Sequence, residues 1–406
     1  MALNSLTSDR EPSEAASEVQ TLAGICAAHL ISHVHMLTLP VLIPLLKDRL
    51  GVSFLDLGFA LTLFSAISGL TQAPMGFVVD RIGARNVLVA GLGLGGLSFV
   101  VLGLWTSYPM LFVCAVLAGL ANCVYHPADY AILSRSIAEN RIGRAFSIHT
   151  FAGYLGSAIS PFLLLGIAGS VGLNAALIAS GLLAWAAALF LLLLPQPASL
   201  AETKAGQAAV GLAGVKALLT PTILSLVLFF SVFALSNSAM NNFTVAALME
   251  GKALTLVTAN AALTAYLAMS ALGVLAGGYL ADRTRRHGDI AAMGFGLNAL
   301  CILFAAFANL PTAVVVLAMG CGGFLSGMIL PSRDMLVRKA SPPGTAGRVF
   351  GLTSTGLNVG GIVGPILFGW ILDHAPPLTI FAAAVGFMLL TALYGFVSDR
   401  ITARTA

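Results

Sequence analysis

Charge is what this sequence has least of. Only 9% of its 406 residues are charged, with 16 acidic and 20 basic side chains, while 58% are hydrophobic and mean hydropathy is +0.95. A soluble domain carries about 25% charged residues, so this composition excludes a water-soluble globule. The few basic residues are scattered, which excludes a polybasic surface for nucleic acid. Cysteine is sparse and odd in number: Cys26, Cys114, Cys123, Cys301 and Cys321 all fall in apolar stretches, and no pair has metal-ligand spacing. They are expected to be small buried hydrophobes. A secretory leader is missing too. The opening MALNSLTSDREPSEAASEV is polar and acidic, without a basic start or apolar core. Residues 1–19 are therefore expected to form a disordered tail, and the first apolar segment to be retained.

Signatures of nucleotide chemistry are also lacking. The run from Gly91 to Gly96 has dinucleotide-loop glycine spacing, but it lies inside an apolar segment with no strand before it. It reads as a close-packing stripe. No phosphate-binding loop, nucleophile–base pair or metal set stands out, so no cofactor, no metal and no enzymatic activity are expected, and ATP is not the direct energy source.

What is present is apolar sequence in twelve runs, the first at 20–46 and the last at 377–398. Each is long enough for a membrane helix, which needs about 20 apolar residues. The longest polar connector, 195–219, divides them into halves of six, 20–194 and 220–398, and 399–406 is left as a C-terminal tail. The fold class is thus an all-α membrane protein of twelve helices. With the N-terminus placed in the cytoplasm, nearly all loop Lys and Arg fall on the cytoplasmic side, and only Lys47, Arg49 and Lys252 fall outside. The positive-inside rule then puts both termini in the cytoplasm of a cell that holds the chain in its inner membrane.

The halves are copies. The stretch from His126 to Pro161 returns at Leu330 to Pro365 without a gap. Pro127 matches Pro331, Gly143-Arg144 matches Gly347-Arg348, Phe146 matches Phe350 and Pro161 matches Pro365. A duplicated membrane unit is the mark of a transporter. The loop GFVVDRIGARN, Gly76 to Asn86, also has a degenerate copy in GYLADRTRRHG, Gly278 to Gly288. These loops and the six-plus-six layout resemble the major facilitator superfamily along the chain from about residue 20. The resemblance implies two pseudo-symmetric six-helix halves, a central cavity lined by helices 1, 4, 7 and 10, and a conformational role for the loop motif. His126-Pro-Ala-Asp-Tyr130 with Gly143-Arg-Ala-Phe146 further resembles the fosmidomycin-resistance type of efflux carrier.

Ionisable residues inside a membrane are costly and therefore functional candidates. Asp129 and His126 are the candidates for proton coupling, because a carboxylate and an imidazole can each load and release a proton. His29, His33, Asn122, Asn237, Asn241 and Arg333 are the candidates for the substrate cavity. His29 and His33, like Asn237 and Asn241, stand at i, i+4 and so share a helix face. His149 is placed near the inner surface, and His35 points away from His33. Gating falls to Asp80, Arg81, Gly83, Arg85, Arg144, Asp282, Arg283, Asp334 and Arg348, together with Asp129 and Arg333. Asp129 and Arg333 occupy equivalent positions with opposite charge, and are expected to meet when the cytoplasmic side closes; the competing arrangement neutralises each within its own half.

The expected function is secondary active transport of a small polar or anionic organic molecule by alternating access, as proton-coupled efflux. Proton-symport uptake of an organic acid and a non-transporting sensor are the alternatives. The expected partners are the substrate, protons and the lipid bilayer, with the chain working as a monomer.

Overall fold

The computed structural model describes residues 12–138, 141–195, 220–284, 286–341 and 346–405. Among these residues it forms twelve helices. They are α1 Pro12–Leu50, α2 Phe54–Ile82, α3 Ala84–Leu104, α4 Tyr108–Ser136, α5 Ile142–Ser170 and α6 Leu173–Leu193 in the first half. The second half holds α7 Pro221–Lys252, α8 Leu256–Arg283, α9 His287–Phe307, α10 Thr312–Ala340, α11 Ala346–His374 and α12 Thr379–Thr405. All twelve include a stretch long and apolar enough to cross a membrane. Helix is the form these runs take because a lipid interior offers no partner for an open backbone N–H or C=O.

Helix ends are set by local chemistry. Ser53 and Asp56 form a reciprocal capping box at the start of α2, and Thr220 and Thr255 cap α7 and α8. Gly83 takes φ +97° to turn from α2 into α3, a conformation that favours glycine. The expected tail at 1–19 is helical from Pro12 onward. Pro12 suits a first helical turn, Ala and Glu sustain it, and Glu18 pairs with Arg141 at 2.7 Å. At the other end α12 runs on to Thr405, with Arg400 paired to Asp289 at 2.9 Å.

The duplication is repeated in the packing. Gly156 of α5 lies against the backbone of Leu30 in α1, and Gly360 of α11 lies against Ala234 and Leu235 in α7. Gly119 of α4 meets Phe64 and Ile67 of α2, and Gly323 of α10 meets Tyr266 of α8. A side chain at any of these positions would collide with the neighbouring helix.

The halves meet most closely at the face that carries the α1–α2 and α7–α8 loops. There the backbone N–H groups of Phe54 and Leu55 donate to the Asp373 carboxylate at 3.0 and 2.8 Å. The Thr62 hydroxyl donates to the Ile362 carbonyl at 2.7 Å, and Lys47 lies 3.4 Å from Glu250. At the opposite, more basic face, the pairs Arg135–Asp80, Arg141–Glu18 and Arg400–Asp289 each stay within one half.

Candidate functional site

Two centres emerge. The first is a cavity of about 220 Å³ between the halves, walled by α1, α2, α7 and α11. Its polar lining is uncharged: Ser65, Asn237, Ser238, Asn241 and Asn242, with Met36 and Phe64 among its apolar walls. Asn242 donates to Ser238 at 3.1 Å. Helical spacing explains the grouping, since Asn237, Asn241 and Asn242 recur within little more than a turn of α7. Such a lining offers both donors and acceptors.

The second centre is buried in the first half, where α1, α4 and α5 bring together residues remote in sequence. Asp129 has no exposed surface, His149 is 1% exposed and His29 is 4% exposed. Asp129 Oδ2 lies 3.0 Å from His149 Nε2 and 3.4 Å from His29 Nδ1. The rings of His29 and His149 stack with centres 3.8 Å apart. His33 meets His29 edge-on at 4.8 Å, and its Nδ1 is 2.9 Å from the Ser157 hydroxyl. His126 is exposed and lies 5.5 Å from His29. Gly153 of α5 makes room for this centre, since a Cβ there would strike the rings of His29 and His33.

The sequence candidates sort themselves between these centres. Asn237 and Asn241 line the cavity, whereas His29, His33, Asn122 and Arg333 are not among its lining residues. Asn122 instead donates to Ser68 at 2.8 Å. His35 reaches the Ser180 carbonyl at 3.1 Å, turned away as expected. His149, expected near the inner surface, is buried, because the N-terminal end of α5 packs against α1 and α4 and Asp129 supplies its partner. Its signal was present in the sequence, in a histidine one turn before the small-residue stripe of α5.

Asp129 and Arg333 do not pair in this structure. Asp129 is held by its own histidines, and Arg333 binds its neighbour Asp334 at 2.8 Å, its guanidinium lying 4.8 and 5.1 Å from the rings of Phe230 and Phe233. Each charge is met within its own half, as in the competing arrangement weighed from the sequence.

The gating candidates sit at the basic face. Asp80 lies 3.6 Å from Arg135, while Arg81 and Arg144 are exposed. Arg85 donates to the carbonyls of Leu191 and Leu194 at 2.6 Å, closing the end of α6. Arg283 lies over the Tyr279 ring at 3.4 Å. The side chains of Asp282 and Arg348 lie outside the described part of the structure. Asp373 was missed: one acid at the end of an apolar helix gains meaning only when the fold brings the start of α2 to it.

The sequence offers no metal set, yet the fold gathers His29, Asp129 and His149 with potential ligand atoms within 4.8 Å of one another. The ring geometry argues against a shared ion. Two imidazoles on one tetrahedral metal, each at about 2.0–2.1 Å, hold their centres about 5 Å apart with both rings pointing at the ion. Here they are stacked face to face at 3.8 Å.

Comparison with known proteins gives a consistent picture. The model of the Major Facilitator Superfamily matches residues 25–245 and 227–405. The fosmidomycin resistance protein of Escherichia coli is 23% identical over 393 residues, covering 93% of each chain. The multidrug resistance protein MdtH of Aeromonas hydrophila is 27% identical over 340 residues, covering 81% of each. Among solved structures, a bacterial homologue of the human lysosomal transporter Spinster, in an inward-facing and unoccupied conformation, superposes with a TM-score of 0.79 at 14% identity, over 97% of this chain and 98% of that one.

Proposed function

The chain belongs to the major facilitator superfamily, and on that premise we propose that it exports a small polar organic molecule by proton antiport through alternating access. It is a multi-pass membrane protein of a transporter family rather than an enzyme. The observation that carries the transport reading is the uncharged, hydrogen-bonding cavity at the seam of two halves that hydrogen-bond to each other, among the described residues, at one face. The amides of Asn237 and Asn241 are the contacts for the substrate. A neutral polar molecule fits them better than an anion, since Arg333 is engaged by Asp334 away from the cavity. The names of the resistance proteins that the chain resembles favour export.

The basic face is the cytoplasmic one, by the distribution of Lys and Arg. On this reading the chain lies in the inner membrane with both termini inside, works as a monomer, and has its outer side sealed at the α2–α11 seam. Asp373 is the outer lock, a carboxylate at the N-terminus of α2 where the helix dipole favours negative charge. Asp80, at the far end of α2, is the inner counterpart. On closure it leaves Arg135 for the N-terminus of α11, which starts at Ala346 on the same face. Asp129 and the neighbouring histidines carry the coupling proton.

Purified protein in proteoliposomes with an imposed pH gradient tests this reading across neutral and anionic organic compounds. Counter-gradient flux of a neutral polar compound, lost when the gradient is collapsed, is the expected result. Flux that runs with the proton gradient would make the chain a symporter, and no gradient-dependent flux of any compound would leave the reading without support.

A further inference from the structure

We propose that Asp129, His149 and His29 form one shared proton site that holds a single exchangeable proton, with His126 as its port to solvent. The proposal rests on the proton-coupled reading above and adds where the proton sits and how many there are.

Three features of the geometry carry it. First, one carboxylate oxygen, Asp129 Oδ2, serves both imidazoles, at 3.0 Å from His149 and 3.4 Å from His29. A proton on either ring is balanced by the same negative charge. Second, the rings are stacked at 3.8 Å. A second proton would put two imidazolium rings face to face in an apolar core with one carboxylate between them, so loading one ring opposes loading the other. Third, His149 Nδ1 and Asp129 Oδ1 are buried without a hydrogen-bond partner, and His29 Nδ1 is met by the Asp129 carboxylate at ion-pair distance rather than by a hydrogen bond. Unused donors and acceptors at such depth are costly in a purely structural cluster.

Among the described residues, the surroundings leave the carboxylate as the site's only close counter-charge. On α1 the site faces His33 and Cys26; on α4, Tyr125, His126 and Tyr130; on α5, Tyr154. From the other half, Arg333 and Asp334 of α10 act at longer range on Tyr154 and Tyr130, and they pair with each other. His126 alone of the four clustered histidines is exposed, and its ring is 5.5 Å from His29. On the inner side His33 continues the line from His29 to Ser157. Met36, one turn beyond His33 on α1, lines the central cavity. The histidines thus form a ladder from the exposed His126, through the shared site, towards the cavity.

Proton uptake by the purified full-length chain in detergent, titrated between about pH 8 and pH 5, tests the count. Asp129→Asn should take up about one proton fewer than the parent, because the pair then lacks its counter-charge, while His29→Gln and His149→Gln should each match the parent, because the remaining ring still takes the proton. A loss of about one proton in each histidine variant means independent sites and overturns the proposal. So does an Asp129→Asn variant that titrates like the parent. Should Asn at 129 prevent folding, nitrogen-15 histidine spectra of the unsubstituted protein decide: the appearance of two imidazolium rings from the stack overturns the proposal. A transition metal that co-purifies with the parent but not with Asp129→Asn would overturn it as well. After a pH jump, His126→Ala should load the shared site at least about tenfold more slowly; an unchanged rate removes its role as port. Gradient-driven flux with a two-proton site would defeat the shared site and leave proton coupling intact. A one-proton site without gradient-driven flux would do the reverse.

Discussion

Asp129 is held without exposed surface between two imidazoles, so what replaces it decides the outcome. Asp129→Ala removes the acceptor that His149 faces and should destabilise the protein by about 3–5 kcal/mol. Asp129→Asn keeps an acceptor oxygen and should cost distinctly less. Thermal unfolding in detergent checks the difference. In the cavity, Asn241→Ala removes an amide from the lining wall. It should leave the unfolding temperature unchanged and raise KM for the transported compound about tenfold, the effect of losing one hydrogen bond of about 1.5 kcal/mol. At this scale the sequence was half legible. Scarcity alone marked Asp129, His126 and His29, because any ionisable group in so apolar a chain stands out. Which residues meet was not legible. Arg333 and Asp129 match by repeat position, yet adjacent chemistry claims each first: Asp334 and two phenylalanine rings for one, His149 for the other.

Among the elements, the helices were readable almost to their ends because their cause is local, a run of apolar residues closed by polar caps such as Ser53 and Thr220. The misses were the helical extensions at either end, where Glu18 and Arg400 find partners that no local pattern shows. The glycine contacts give the pairing of elements its test. Gly360→Leu should force α11 away from Ala234 and lower stability by about 1–3 kcal/mol through overpacking, visible as a lower unfolding temperature. Gly278→Leu has open space around it and should be tolerated. The lock on α2 is also an element-scale device. Asp373→Ala removes a charge-assisted cap of about 1–2 kcal/mol. Spin labels on the α1–α2 and α11–α12 loops should then show the fraction open at that face rising about tenfold.

Over the described molecule, α2 and α11 join the two halves at one face, while the ion pairs Arg135–Asp80 and Arg400–Asp289 at the other face stay within each half. Alternating access requires that seam to part. In a background with the native cysteines replaced, cysteines at Thr62 and Ile362 stand opposite each other across the seam, where the Thr62 hydroxyl reaches the Ile362 carbonyl at 2.7 Å in the parent. Their oxidation should stop transport and reduction should restore it. Flux that persists in the cross-linked protein would mean that the seam does not open.

The same seam sets an unequal mutational burden on its two sides. Its donors are main-chain N–H groups, which every amino acid except proline carries at positions 54 and 55. Its acceptor is one particular side chain. A saturation library selected for transport should therefore accept varied side chains at position 55, which is only half buried, and reject proline there. Position 373 should hold to aspartate, leaving the history of this gate written on one of its partners and almost erased from the other.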